Sequence, residues 1–122
     1  MEWNFVGGLP IWSQLCDKIK RGIILGEYKP NEKIPGVREL AAMAQVNPNT
    51  MQRALVKLEE EGIVITRGTG GRFVCADEKM LLGIRRNMLE GVINDYFRKC
   101  AELGVTHREA IEILEEEADN IG

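Results

Sequence analysis

The stretch Pro35–Val74 constrains the fold of this chain more than any other: PGVRELAAMAQVNPNTMQRALVKLEEEGIVITRGTGGRFV. Apolar residues recur there at helical spacing twice, and a short β-branched run follows. Asn47-Pro48 is a strong helix start, with Asn as the cap and Pro at the first helical position. Gly62 is a stop. The pattern predicts a helix over Val37–Ala44, with Gly36 as a permitted but weak cap. A turn at Gln45-Val46-Asn47 follows, then a helix from Pro48 to about Glu61. Ile63-Val64-Ile65-Thr66 reads as a strand, Gly68-Thr69-Gly70-Gly71 as a flexible tip, and Phe73-Val74 as the returning strand.

The faces of these helices carry the functional signal. At about 100° per residue, Met51, Ala54, Leu55 and Leu58 cluster on one side of the second of them. Asn49, Gln52 and Arg53 lie opposite, with Thr50 and Lys57 at one flank. Val37, Leu40, Ala41 and Ala44 form the buried stripe of the shorter helix, and Arg38 points away from it. Arg67 and Arg72 flank the glycine tip, whose small residues let backbone approach a ligand closely. A helix anchored by four apolar groups and presenting amides, a hydroxyl and cations suits the major groove of DNA. Plainer roles compete at each position. Arg38, Arg53 and Lys57 could be solvated cations, Asn47 only a cap, and the glycines only a hairpin tip. Glu59-Glu60-Glu61 reads as a solvated face, which near DNA would repel phosphate.

Ahead of this stretch, Leu9–Gly26 reads as a helix with Pro10 in its first turn and Ile11, Leu15, Ile19 and Ile23 on one face. Lys29-Pro30-Asn31-Glu32 is turn chemistry. Beyond Asp77 the character changes. Met80–Leu103 is a long helix with apolar Leu81, Ile84, Met88, Val92, Tyr96, Cys100 and Leu103, and a second line through Leu82, Leu89, Ile93 and Phe97. Gly104 ends it, and Thr106-His107-Arg108-Glu109 is a capping box for a last helix. Two helices cannot close a core over so much apolar surface. They must pack on the front domain, on a second copy, or on both. The expected organisation is a front domain over residues 1–76 and a dimerisation tail over 77–122, pairing through Leu81, Ile84, Met88, Val92, Tyr96 and Phe97.

Charge supports that division. The net charge is −3 overall, but residues 1–75 hold 10 Lys and Arg against 8 Asp and Glu, and residues 76–122 hold 6 against 11. Attraction to phosphate depends on the local patch and not on the whole chain. Other functions lack material. The single serine, Ser13, and single histidine, His107, make a poor triad. Cys16, Cys75 and Cys100 are scattered and match neither a disulfide framework nor a metal site. The glycine tip lacks the GK[ST] ending of a phosphate loop. The expectation is therefore no enzyme, no metal and no cofactor. No apolar run is long enough for a membrane span and no secretory signal is visible, so a cytoplasmic protein without membrane partners is expected.

Residues 10–75 resemble the winged-helix DNA-binding domain of the GntR family of bacterial transcription regulators. The resemblance is carried by PIWSQLCDKIKRGI, LGEYKPNEKIPGVRELA, VNPNTMQRALVKLEEEGIV and TRGTGGRFV, in family order and spacing. The short tail resembles the YtrA-type subfamily. The implied fold is mainly α with a small β-hairpin wing, a winged helix-turn-helix domain followed by a two-helix dimerisation tail. The implied function is sequence-specific regulation, as a repressor and homodimer on a palindromic operator, beside a transporter operon. The resemblance places Arg38 on phosphate, turns Asn49, Thr50, Gln52 and Arg53 to the DNA, and brings Arg67, Gly70, Gly71 and Arg72 to the minor groove or adjacent phosphates. Gly36 stands where the family usually has Ser, and the wing is less basic than many. A small-molecule effector is not named by the sequence. A winged helix used as a protein-interaction module without DNA binding is the alternative, separable by DNA affinity.

Overall fold

The computed structural model describes residues 1–75 and 77–121. Residue 76, the expected end of the front domain, lies outside them. The element order is α1 (Ile11–Ile24), α2 (Val37–Ala44), α3 (Pro48–Glu60), β1 (Val64–Thr66), β2 (Arg72–Val74), α4 (Glu78–Glu102) and α5 (His107–Ile121). It is a mostly helical chain with one antiparallel hairpin. The chain divides into two compact units, Met1–Ile84 and Arg85–Gly122.

In the first unit, α1, α2 and α3 close over one core. Leu15, Ile19, Leu40, Met51, Leu55, Leu58, Val64 and Val74 are its largest fully buried side chains. The apolar faces read from the sequence supply most of it. Pro10 caps α1 from outside the helix, because a residue before proline is held extended and Leu9 cannot continue the helix backwards. Leu81 and Ile84 pack on this core, where dimerisation was expected of them. They occupy the first two turns of α4, which begins two residues earlier than its apolar pattern suggests.

The turns are closed by backbone hydrogen bonds. After α3, Gly62 N–H donates to Glu59 and Ile63 N–H to Leu58. This is a Schellman closure with Gly62 at φ +76°. It draws Ile63 into the helix end, so β1 starts at Val64. After α2 the same closure uses Gln45 and Val46, and Gln45 takes φ +57°. Among non-glycine residues such a backbone is uncommon.

β1 and β2 pair Val64 with Val74, Ile65 with Phe73 and Thr66 with Arg72. Residues 31–34 add a third edge: Ile34 N–H donates to Arg72 and Val74 N–H to Glu32, with Lys33 opposite Phe73. The sequence suggested only a turn near here. Met1, Trp3 and Phe5 also pack on the core, and the Gln14 side chain pins Val6 by both its N–H and its carbonyl.

In the second unit, Cys100 and Ala110 are buried, and Tyr96 donates to the Ala110 carbonyl at 2.7 Å. Of the expected capping box the threonine half forms: Glu109 N–H donates to Thr106 Oγ1, and the Glu109 carboxylate accepts from the Thr106 hydroxyl. The His107 ring lies tilted against Phe97, with centroids 4.8 Å apart. Leu89, Val92, Ile93, Ile111, Ile113 and Leu114 remain exposed. Among the described residues, no helix is long and apolar enough to cross a membrane.

Candidate nucleic-acid interface

α3 is fixed from behind and open in front. Met51, Ala54, Leu55 and Leu58 are fully buried, which leaves the helix no rotational freedom. Its start is fixed by Asn47, whose side chain accepts from Asn49 N–H at 2.7 Å. Asn47 is therefore a cap. Cys16 Sγ donates to the Ala54 carbonyl across the α1–α3 contact. Burial raises the Cys16 thiol to about 11, so it stays neutral there and packs as a small apolar group. Lys20 on α1 pairs with Glu61 at 3.0 Å.

The opposite face of α3 is exposed. Asn49, Gln52, Arg53 and Lys57 all face solvent, and Thr50 is half-buried at the flank. Arg53 is no free cation: its guanidinium lies over the Trp12 ring at 4.5 Å. Cation and ring orient each other, so Arg53 leaves α3 in a held direction. Val56, also exposed, shares this corner with Trp12, Arg53, Lys57 and Glu60. Arg38 stands exposed in the first turn of α2.

The wing differs from expectation in its cations. Arg72 belongs to β2 and not to the tip. Its Nε donates to Glu59 Oε1, and its terminal nitrogen reaches Gln52 Oε1 at 3.4 Å. Thr66 donates to the same Glu59 oxygen at 3.0 Å. Glu59 is thus the bond between α3 and the wing and not part of a solvated face. The Arg72 hydrogen bond, chiefly, holds its carboxyl below the usual carboxylate range. Arg67 lies over Phe73 at 4.9 Å and donates to Asn31 Oδ1 at 2.6 Å. Both arginines are therefore held by the third edge or by α3.

The tip itself presents backbone. Gly70 is exposed, and Gly71 sits at φ +97°. A Cβ on Gly71 would meet Lys33 Cε at 3.0 Å. Between residues 33–36 and the wing lies an open cleft of about 440 Å³, lined by Lys33, Gly36, Thr66 and Arg72 among others. Lys33 is the cation that sequence reasoning missed. The alternation of outward Lys33 with buried Ile34 was its signal, hidden beside turn residues. Trp12 and Glu59 were missed because their partners lie far away in sequence.

Residues 12–74 match the model of the bacterial regulatory proteins of the gntR family. The chain belongs to that family. It is 33% identical over 112 residues to the uncharacterised HTH-type transcriptional regulator YhcF of Bacillus subtilis, covering 92% of this chain and 93% of that protein. It is 38% identical over 73 residues to the HTH-type transcriptional repressor YtrA of the same organism, covering 60% of this chain and 56% of the repressor. A solved GntR family transcriptional regulator from Listeria monocytogenes superimposes with a TM-score of 0.82 at 28% identity, over 92% of this chain and 98% of that one. The protein is a gntR-family, DNA-binding helix-turn-helix transcription regulator and not an enzyme.

Proposed function

We propose that the protein is a sequence-specific repressor that binds a palindromic operator as a homodimer. The observation that carries this reading is a pair of surfaces on one chain. α3 turns Asn49, Gln52, Arg53 and Lys57 outward over a fully buried back. The second unit leaves Val92 61% exposed and Leu89 49% exposed. Apolar side chains crowded along α4 and α5 favour a second copy, because burial against it removes them from water. Met88, Tyr96 and Phe97 are half-buried, so they support that seam more than they form it. On this reading the first unit is the DNA-binding domain and the second the dimerisation tail.

Two recognition helices related by a two-fold axis then enter successive major grooves about 10 base pairs apart. Asn49, Gln52 and Arg53 meet base edges. Thr50, Lys57, Arg38 and Lys33 meet phosphates, and the Gly70-Gly71 backbone of the wing approaches the flanking strand. Arg67 and Arg72 shape the wing that makes this approach. Repression follows from occlusion of a promoter, which agrees with the name of the YtrA relative. The resemblance to YtrA-type regulators suggests transport genes as targets.

The test is fluorescence anisotropy with the DNA upstream of the protein's own gene and with a shuffled duplex, at two salt concentrations. Tight, salt-sensitive binding to the upstream duplex with two protomers each is expected. Equal affinity for both duplexes, or one protomer per site, would overturn the proposal.

A further inference from the structure

α3 carries Gln52 and Glu59 seven residues apart, two turns along the same stripe, about 10 Å along the axis. Arg72 of the wing lies across both. Its Nε donates to Glu59 Oε1 and its terminal nitrogen to Gln52 Oε1 at 3.4 Å. Thr66, the cross-strand partner of Arg72, donates to the same Glu59 oxygen at 3.0 Å. Glu59 and Arg72 are the less exposed members of the set, with side chains 30% and 19% exposed, while Gln52 faces solvent. Glu59 therefore fixes Arg72, and Arg72 claims the carbonyl oxygen of Gln52.

This bears on which base Gln52 can read. A free glutamine pairs bidentately with adenine, accepting from N6 and donating to N7. With one lone pair of its oxygen taken by Arg72 and a guanidinium cation beside it, Gln52 offers its amide N–H groups to a base more readily than its oxygen. We propose that Glu59, acting through Arg72, is a specificity-positioning residue that makes Gln52 a hydrogen-bond donor in the major groove. Bases presenting acceptors there, guanine through N7 and O6 or thymine through O4, are then favoured over adenine, whose N6 donor meets an oxygen already engaged by a cation. Glu59 need not touch DNA. The inference rests on the reading of α3 as a sequence-specific recognition helix.

The experiment is selection from a randomised duplex library followed by affinities for single-base variants of the selected site. It uses the full chain and its Gln52→Ala, Glu59→Ala and Glu59→Gln variants, with circular dichroism melts to confirm folding. Gln52→Ala marks the base pair that Gln52 reads by flattening the preference there. Glu59→Ala is expected to swing preference at that same base pair toward adenine by about 3- to 10-fold, the worth of one hydrogen bond, leaving other positions unchanged. Glu59→Gln, nearly isosteric, shifts it in the same direction by less and decides the matter if the alanine variant fails to fold. A Glu59 effect spread evenly over all positions, or none at the Gln52 position, would overturn the inference. So would a Gln52→Ala variant that keeps the base preferences of the unaltered protein at every position. No enriched motif for the unaltered protein would instead sink the sequence-specific reading itself.

Discussion

Replacing Gln45 by glycine should stabilise the protein, although it removes a side chain from the helix-turn-helix. Gln45 closes α2 at φ +57°, and a residue with a Cβ is held there at a cost of about 1–2 kcal/mol. Its N–H bonds the Ala42 carbonyl and Val46 N–H bonds Ala41. Both are backbone bonds that glycine keeps. The side chain is exposed, so little packing is lost. Against this gain stands the greater freedom of glycine in the unfolded chain, about 0.5–1 kcal/mol. The net expectation is about 0.5–1 kcal/mol of added stability, or roughly 2–5 °C in Tm for a chain of this size. Urea and thermal unfolding at one fixed protein concentration measure it, since an associating chain has a concentration-dependent midpoint. Gln45→Val, whose β-branch clashes in this backbone, should lose about 1 kcal/mol or more. A destabilised glycine variant, or a neutral valine variant, would refute the claim that this turn is held in the left-handed region.

Glu59→Gln should cost about 1 kcal/mol near neutral pH by weakening the tie between α3 and the wing. Because the native carboxyl titrates below its ordinary value of 4.5, the tie is complete above that pH and fades as pH falls through the lowered value. The stability gap between the two proteins should therefore be flat from about pH 5 to 7 and close under stronger acid; a gap that widened there would contradict this. Leu55→Ala, at a side chain with no exposure, should cost about 2–5 kcal/mol in urea unfolding, and a loss below 1 kcal/mol would mean that α3 is not seated as described. Arg53→Ala should lose about 1–3 kcal/mol of DNA affinity at one base position, whereas Lys57→Ala should weaken all sequences alike and lower the salt slope by about one. Identical profiles for the two variants would erase the distinction between base and phosphate contact.

Local signals in the sequence gave way to structure directly where the chemistry was local. Asn47-Pro48, the Gly62 stop and the threonine half of the Thr106–Glu109 box each act within a few residues, and each forms as its residues suggest. The stripe of Met51, Ala54, Leu55 and Leu58 was equally legible, because one helix face must find a core. What escaped was non-local. Nothing near Glu59 marks its partners Thr66 and Arg72, so a run of three glutamates looked solvated. Arg67 and Arg72 looked like free wing cations, because neither Asn31 nor Glu59 is adjacent in sequence. Lys33 and Ile34 pair with β2 only once the chain has folded back. Periodicity placed Leu81 and Ile84 on an apolar face, but it cannot say what that face meets. The aromatic residues near the start, Trp3 and Phe5, have no periodic context, and their packing on the core was unreadable.

Hydroxyl-radical footprinting of the operator selected by the protein tests the central claim most directly. The account predicts two protected segments related by a dyad, their centres about one helical turn apart, both lost together when Leu89 and Val92 are changed to glutamate. A single asymmetric patch that survives those changes would contradict it.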